Sequence, residues 1–228
     1  MSSFGGSSNP SGSAATRVYE DLRRRIISLG LPPDSTLSRV ELADAYGVSQ
    51  TPVREAMQRL EQDGLVRIYP QSKTVVSRIN TQELHENQFH RVALETEVVR
   101  RLAEQRDEAV VKRAKMIIKM QESALEDISQ IQVFNDLDRE FHRTLFNGVG
   151  MQTLHQMISS KLGHLARCQR LELPRIGKME DILEGHRAII DGIEKGDPER
   201  SVEAMRKHLT GTILSIASLR EEYPDYFV

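Results

Sequence analysis

Val48-Ser49-Gln50-Thr51-Pro52-Val53-Arg54-Glu55-Ala56 decides how the first third of this 228-residue chain folds. Ser49 is placed to cap a helix, because its hydroxyl can accept from a free backbone N–H in the first turn. Pro52 falls inside that turn, where its missing N–H leaves no hydrogen bond unmade. Gly47 makes the tight turn ahead, Val48 plugs it, and Gly64 ends the helix after Asp63. Met57 and Leu60 form the stripe that holds this helix to its own domain. Ser49, Gln50, Thr51 and Arg54 offer short polar groups and one long cation near one side. Such groups donate to phosphates and base edges in a DNA major groove.

Working outward, Ser38 caps a shorter helix that runs to about Tyr46, with Leu42 and Ala45 facing inward. From Arg17 onward Val18, Leu22, Ile26 and Leu29 recur at helical spacing, until Leu31-Pro32-Pro33-Asp34 forbids continuation. Downstream, Leu65-Val66-Arg67-Ile68 and Thr74-Val75-Val76-Ser77 are short, rich in β-branched residues and separated by polar ones, so they predict a hairpin. Helix, helix, turn, helix, hairpin over residues 17–79 is the order of a winged helix-turn-helix. Arg39 at the start of the second helix and Lys73 in the wing join Ser49, Gln50, Thr51 and Arg54 as expected DNA contacts.

The bulk numbers fit this reading. With 39% hydrophobic and 28% charged residues, the chain is an ordinary globular one, long enough for two small domains. Its apolar runs are too short to span a bilayer, so no membrane partner is expected. The net charge of −2 is uneven, with the basic excess in residues 1–79 and the acidic excess beyond. Residues 1–16 are rich in Ser and Gly and lack the basic start and apolar core of a signal peptide, which predicts a flexible tail. The one cysteine, Cys168, cannot form an internal disulfide, as expected in a reducing cytoplasm, and reads as a buried or idle thiol.

Beyond a linker at Asn80-Thr81-Gln82-Glu83 only helices are predicted, over roughly 82–105, 107–127, 130–148, 151–172, 176–195 and 198–222. The fold class is therefore mainly α: the N-terminal winged helix-turn-helix plus an all-helical antiparallel bundle of about six helices over residues 80–222. A short tail, 223–228, follows. Three of these helices carry polar groups on otherwise apolar stripes. Asp138 and His142 lie four apart beside Phe134, Phe141 and Leu145; His186 lies between Ile182 and Ile189; His208 lies between Met205 and Thr212. Burying a carboxylate and three imidazoles without a common partner is costly. One divalent cation between them removes that cost, with Zn²⁺ as first choice and Ni²⁺ or another first-row ion as alternatives. The other histidines, His85, His90, His155 and His164, receive no assignment.

Val48 to Ala56, with Glu41-Leu42-Ala43 ahead and Leu60-Glu61-Gln62-Asp63-Gly64-Leu65-Val66 behind, resembles the DNA-binding signature of the GntR family of bacterial transcription regulators. Two positions depart from it. Gln50 stands where the family usually has arginine, and Lys73 where the wing usually has glycine. Glutamine suits adenine where arginine suits guanine, so the family's usual operator does not carry over. Asp138-Arg139-Glu140-Phe141-His142, with His186 and His208, resembles the FCD-type sensor domain of the FadR branch, and the helix count points to its VanR-like variant. Arg91 and Glu95 look like the Arg and Glu pair on that domain's first helix.

The resemblance implies a small organic acid bound in a cavity whose floor holds the metal, and the expected function is a repressor released by that acid. One short recognition helix reads too few bases for useful specificity, which predicts a homodimer on a near-palindromic operator. The stripe Leu84, Gln88, Arg91, Glu95, Val98 and Leu102 has three polar residues in mid-face, which makes Gln88, Arg91 and Glu95 the candidate effector contacts. The competing stripe Phe89, Val92, Thr96 and Val99 would leave Arg91 exposed instead. Two other functions remain open on sequence alone. One is a metal-dependent helical hydrolase; the other is an architectural DNA-binding protein with a structural metal.

Overall fold

The computed structural model describes residues 12–70, 73–125, 127, 130–175 and 177–228, and divides the chain into two compact units between Ser77 and Arg78. Residues 1–11 of the expected tail lie outside the described residues. Residues 13–16 are not tail. Ser13 caps α1 (Ala14–Ile27), its hydroxyl accepting from the Thr16 N–H, and Ala15 is already buried.

In the first unit α1 packs on α3 (Gln50–Gln62), and α2 (Arg39–Tyr46) packs on α3 as well. Leu22, Ile26, Val53, Met57, Leu60 and Leu65 make the core between them. Ser38 caps α2 through the Glu41 N–H. Gly47 then sits at φ 62°, a left-handed turn that disfavours any side chain with a Cβ. Two local expectations need correcting. Ala43, not Ala45, faces the core, where the half-buried Leu42 and Tyr46 also pack. Ser49 does occupy the cap position of α3, but its hydroxyl makes no capping hydrogen bond. The wing has three strands. The hairpin of β2 (Val66–Ile68) and β3 (Thr74–Val76) is joined by β1 (Thr36–Leu37) in the antiparallel order β1-β3-β2. Two residues are too few to show alternation, so β1 left no pattern to read.

The second unit is helical: α4 (Thr81–Gln105), α5 (Glu108–Leu125), α6 (Ile131–Gly148), α7 (Gln152–Lys161), α8 (Gly163–Glu172), α9 (Lys178–Lys195), α10 (Pro198–Leu214) and α11 (Ile216–Glu222). Two of the six expected spans are each broken once, at Leu162, where Gly163 follows directly, and at Ser215, where neither Gly nor Pro marks the break. α10 packs on α4 and α9, while α5 packs on α6 and α9. These contacts bury one cluster that includes Val99, Leu102, Phe141, Leu145, Ile189, Ile193 and Met205. α9 approaches α10 closely at Gly192, beside Ser201, and at Gly185, where a Cβ would lie 2.6 Å from the His208 ring.

The C-terminal segment is not a loose tail. After a 3₁₀ turn at Pro224–Tyr226, Phe227 is buried and pairs as a parallel bridge with Ile79, whose carbonyl accepts from the Val228 N–H at 3.0 Å. Apolar Phe227 finds a pocket with Leu84, Leu165 and Leu219, which outweighs the fraying expected of a chain end. Among the described residues no helix is long and apolar enough to cross a membrane.

Candidate functional site

α6 presents Asp138 and His142 one turn apart, α9 brings His186, and α10 brings His208 through the gap that Gly185 leaves. One ligand atom from each of the four lies within 4.8 Å of all the others. Asp138 Oδ1 is 3.3 Å from His186 Nε2 and 4.0 Å from His142 Nε2, and His142 Nε2 is 3.3 Å from His208 Nε2. The site is enclosed, with Asp138, His142 and His186 all buried.

A second layer fixes the rings. His142 Nδ1–H donates to Glu95 Oε2 at 2.5 Å, and His186 Nδ1–H donates to Gln121 Oε1 at 2.8 Å. A proton held on each Nδ1 turns the Nε2 lone pair toward the centre of the cluster. His186 Nε2 makes no hydrogen bond to any described group, although the residue is wholly buried. A buried nitrogen facing a carboxylate and two further imidazoles fits a shared cation.

Electrostatics agree with that geometry. Burial pushes the Asp138 carboxyl up, but the rings of His186, His142 and His208 outweigh it and hold the group well below the usual carboxylate range. Burial likewise opposes ionisation of Glu95, yet Arg91 and His142 bring its pKa down to about 2. His208 is lowered well below the ordinary histidine value by burial and by the neighbouring rings. A carboxylate held ionised at Asp138 and an imidazole held neutral at His208 are forms that ligate a metal, so the cluster can hold a divalent ion.

Beside it lies a cavity of about 470 Å³, whose lining includes Arg91, Asp138, His142, His208, Lys178 and Thr212. Of the three residues expected to meet an effector, only Arg91 reaches this wall, with Nη2 3.4 Å from His142 Nε2. The other two are redirected. Gln88 donates to the Leu209 carbonyl at 2.6 Å and ties α4 to α10. Glu95 is occupied by Arg91 Nε at 2.7 Å and by His142, so it supports the cluster and does not line the cavity. Two residues were missed. Lys178 lines the cavity while paired with buried Glu172 at 2.7 Å. Gln121 interrupts the apolar stripe of α5 as the histidines interrupt theirs, and that signal was there to be read.

In the first unit a cleft of about 380 Å³ opens between the start of α2, α3 and the wing. Arg39, Gln50, Arg54 and Lys73 line it together with Met57 and Tyr69. Ser49 and Thr51 are exposed at the start of α3 but lie outside the cleft lining. Tyr69 carried no expectation from sequence.

Residues 14–76 match the family of bacterial regulatory proteins described as the gntR family, and residues 88–211 match the FCD domain. An HTH-type transcriptional regulator from an unstable DNA locus of Streptomyces ambofaciens is 33% identical over 92% of this chain and 88% of its own length. The chain belongs to the GntR family. It is a DNA-binding transcription regulator of the GntR/FCD type. A second GntR-like relative, the HTH-type transcriptional repressor RspR of Escherichia coli K12, is 29% identical over 96% of both chains. Among solved structures, E. coli McbR/YncC shares the fold with a TM-score of 0.74 at 21% identity, covering 93% of this chain and 99% of that one. The matched families and these relatives are transcription regulators, so the hydrolase reading of the His and Asp cluster falls away.

Proposed function

We propose that this GntR-family regulator is a repressor whose grip on its operator is controlled by a small carboxylic acid bound beside a divalent metal. The observation that carries the reading is the convergence of the Arg91 guanidinium and the Asp138, His142 and His208 side chains on one cavity wall. Asp138, His142, His186 and His208 would hold the metal, Zn²⁺ in our reading, with Ni²⁺ or another first-row ion as alternatives. When bound, such an ion supplies a Lewis-acid position for one carboxylate oxygen. Arg91 supplies paired N–H donors for another, kept in place by Glu95. A purely structural metal would leave the adjoining cavity without a task, and with it the face that Arg91 turns toward it.

On the DNA side, Gln50 and Arg54 lie four apart on α3 and line the same cleft as Arg39 and Lys73, which we read as phosphate contacts. Gln50 suits an adenine edge and Arg54 a guanine edge or its phosphate. One short recognition helix reads few bases, so we read the active species as a homodimer on a near-palindromic operator. Sedimentation of a monomer both free and on DNA would count against that. Repression follows the E. coli relative, which bears the name of a repressor. For the acid to act, it must bind the operator-competent and operator-incompetent states unequally, by about 1–3 kcal/mol for a typical effector.

Calorimetry on metal-loaded protein with a panel of small carboxylic acids tests the reading. Arg91→Ala should weaken acid binding at least tenfold while operator affinity without acid is retained. Unchanged acid affinity would remove Arg91 from the site.

A further inference from the structure

The register of the wing separates its residues into two faces. Val66 opposite Val76 and Ile68 opposite Thr74 lie on the core side, where Val66, Thr74 and Val76 are buried. Arg67 opposite Val75 lies on the other side. Just beyond the ladder Tyr69 comes opposite Lys73, and its N–H donates to the Lys73 carbonyl at 2.8 Å. Tyr69 lies past the end of β2, outside the strict alternation of the strand. Tyr69 and Lys73 both line the cleft shared with Arg39, Gln50 and Arg54.

Tyr69 is 43% exposed, and its hydroxyl has no hydrogen-bond partner among the described residues. A ring so placed does no work for the core, which is closed beneath it by Val66, Leu65 and Val76. A duplex read by α3 in its major groove must carry one strand's phosphates past the wing, because the sugar-phosphate backbone separates the groove that the helix enters from the next one. That strand would meet three cations in this cleft, Arg39, Arg54 and Lys73, with the Tyr69 hydroxyl as a neutral donor on the wing beside Lys73.

We propose that Tyr69 is a phosphate-positioning residue, its hydroxyl donating to a non-bridging phosphate oxygen of the strand in this cleft and fixing the wing along the backbone without reading a base. The proposal rests on the DNA-contact reading of the cleft and adds a contact with its own physical signature. A lysine or arginine on a phosphate releases a condensed counterion, so removing it flattens the slope of log affinity against log salt by about one. A phenol releases none. Tyr69 therefore supplies affinity that is independent of salt and equal for every sequence, while Lys73 opposite supplies one of the salt-dependent contacts.

The test uses the full chain and two fluorescein-labelled duplexes of about 30 base pairs, titrated by anisotropy across a range of salt. One carries the operator that wild-type protein selects from a random library, and the other is of random sequence. Tyr69→Phe keeps the ring and removes only the hydroxyl, so its melting temperature should match wild type. It is expected to weaken both duplexes by the same factor, about 3- to 10-fold, with an unchanged salt slope. Lys73→Ala is expected to flatten the slope by about one. Wild-type affinity for Tyr69→Phe on both duplexes overturns the proposal, and so does a loss confined to the operator, which would make Tyr69 a base reader. If Lys73→Ala and Arg54→Ala also leave affinity and slope untouched, the cleft is not the DNA path and the underlying reading falls with it. A normal response of those two beside an inert Tyr69→Phe removes Tyr69 alone.

Discussion

A polar side chain on an apolar helical stripe is the signal that makes the Asp138, His142, His186 and His208 cluster legible in the amino-acid sequence. Gln121 carries the same signal, and its position shows what it is for: its carbonyl holds the His186 Nδ1 proton at 2.8 Å. Gln121→Leu removes that acceptor and leaves a buried N–H unpaired. Metal affinity, measured by competition with a chromophoric chelator, should fall about 10- to 100-fold, the usual effect of losing such a support. A change of less than about twofold would mean that the ring is oriented by packing on Phe141, 3.8 Å away, and not by the amide. Gln88 and Glu95 show where residue-level reading ran out. Periodicity says which side of α4 is buried, and both residues are buried as it requires. It does not say which neighbour waits there, and the neighbours proved to be the Leu209 carbonyl and His142.

Among elements, legibility followed length and punctuation. α4, α6 and α9 each run eighteen residues or more with clear stripes, and their expected spans lie within two residues of the observed ones. β1 was missed because two residues cannot alternate, and the break at Ser215 because no Gly or Pro marks it; Gly163 does mark the break at Leu162, but a lone glycine inside a helical pattern is weak punctuation. The pairing of α9 with α10 is where element packing meets the site. Glycine inside a helix costs about 1 kcal/mol relative to alanine, so Gly185→Ala should stabilise α9 if the helix stood alone. Here the new Cβ would fall 2.6 Å from His208 Nδ1, and α10 must shift or the ring must turn. Overpacking of this kind costs about 1–3 kcal/mol, which outweighs the propensity gain. Gly185→Ala should therefore melt several degrees lower and bind metal more weakly, read by calorimetric melting with and without Zn²⁺. A variant that melts higher and binds metal as before would show that α10 has room to move.

For the whole molecule, the two units should report separately on metal. The cluster lies entirely within the second unit, so a chelator should destabilise that unit and leave the winged helix unchanged. At a free metal concentration about a thousandfold above its dissociation constant, linkage adds roughly 4 kcal/mol to the folded state. A dialysed, chelator-treated sample should then show its helical transition displaced downward by about 10 °C, and re-addition of Zn²⁺ should restore it. A single transition that ignores the chelator would rule out the metal, and with it the site on which the effector reading stands.

The bridge between Ile79 and Phe227 gives the second unit an unusual thermodynamic edge. Segments at the two ends of a helical domain ordinarily fray independently, each opening at almost no free-energy cost. Here the segment that leads in from the DNA-binding unit and the segment that ends the chain share hydrogen bonds and one apolar pocket with Leu84, Leu165, Ile216 and Leu219. Neither can open without exposing the other, so their amides belong to one cooperative unit and exchange with solvent at a common rate. Loss of the last few residues is thereby felt at Ile79, the second residue of the unit, as if the chain had been loosened at its start.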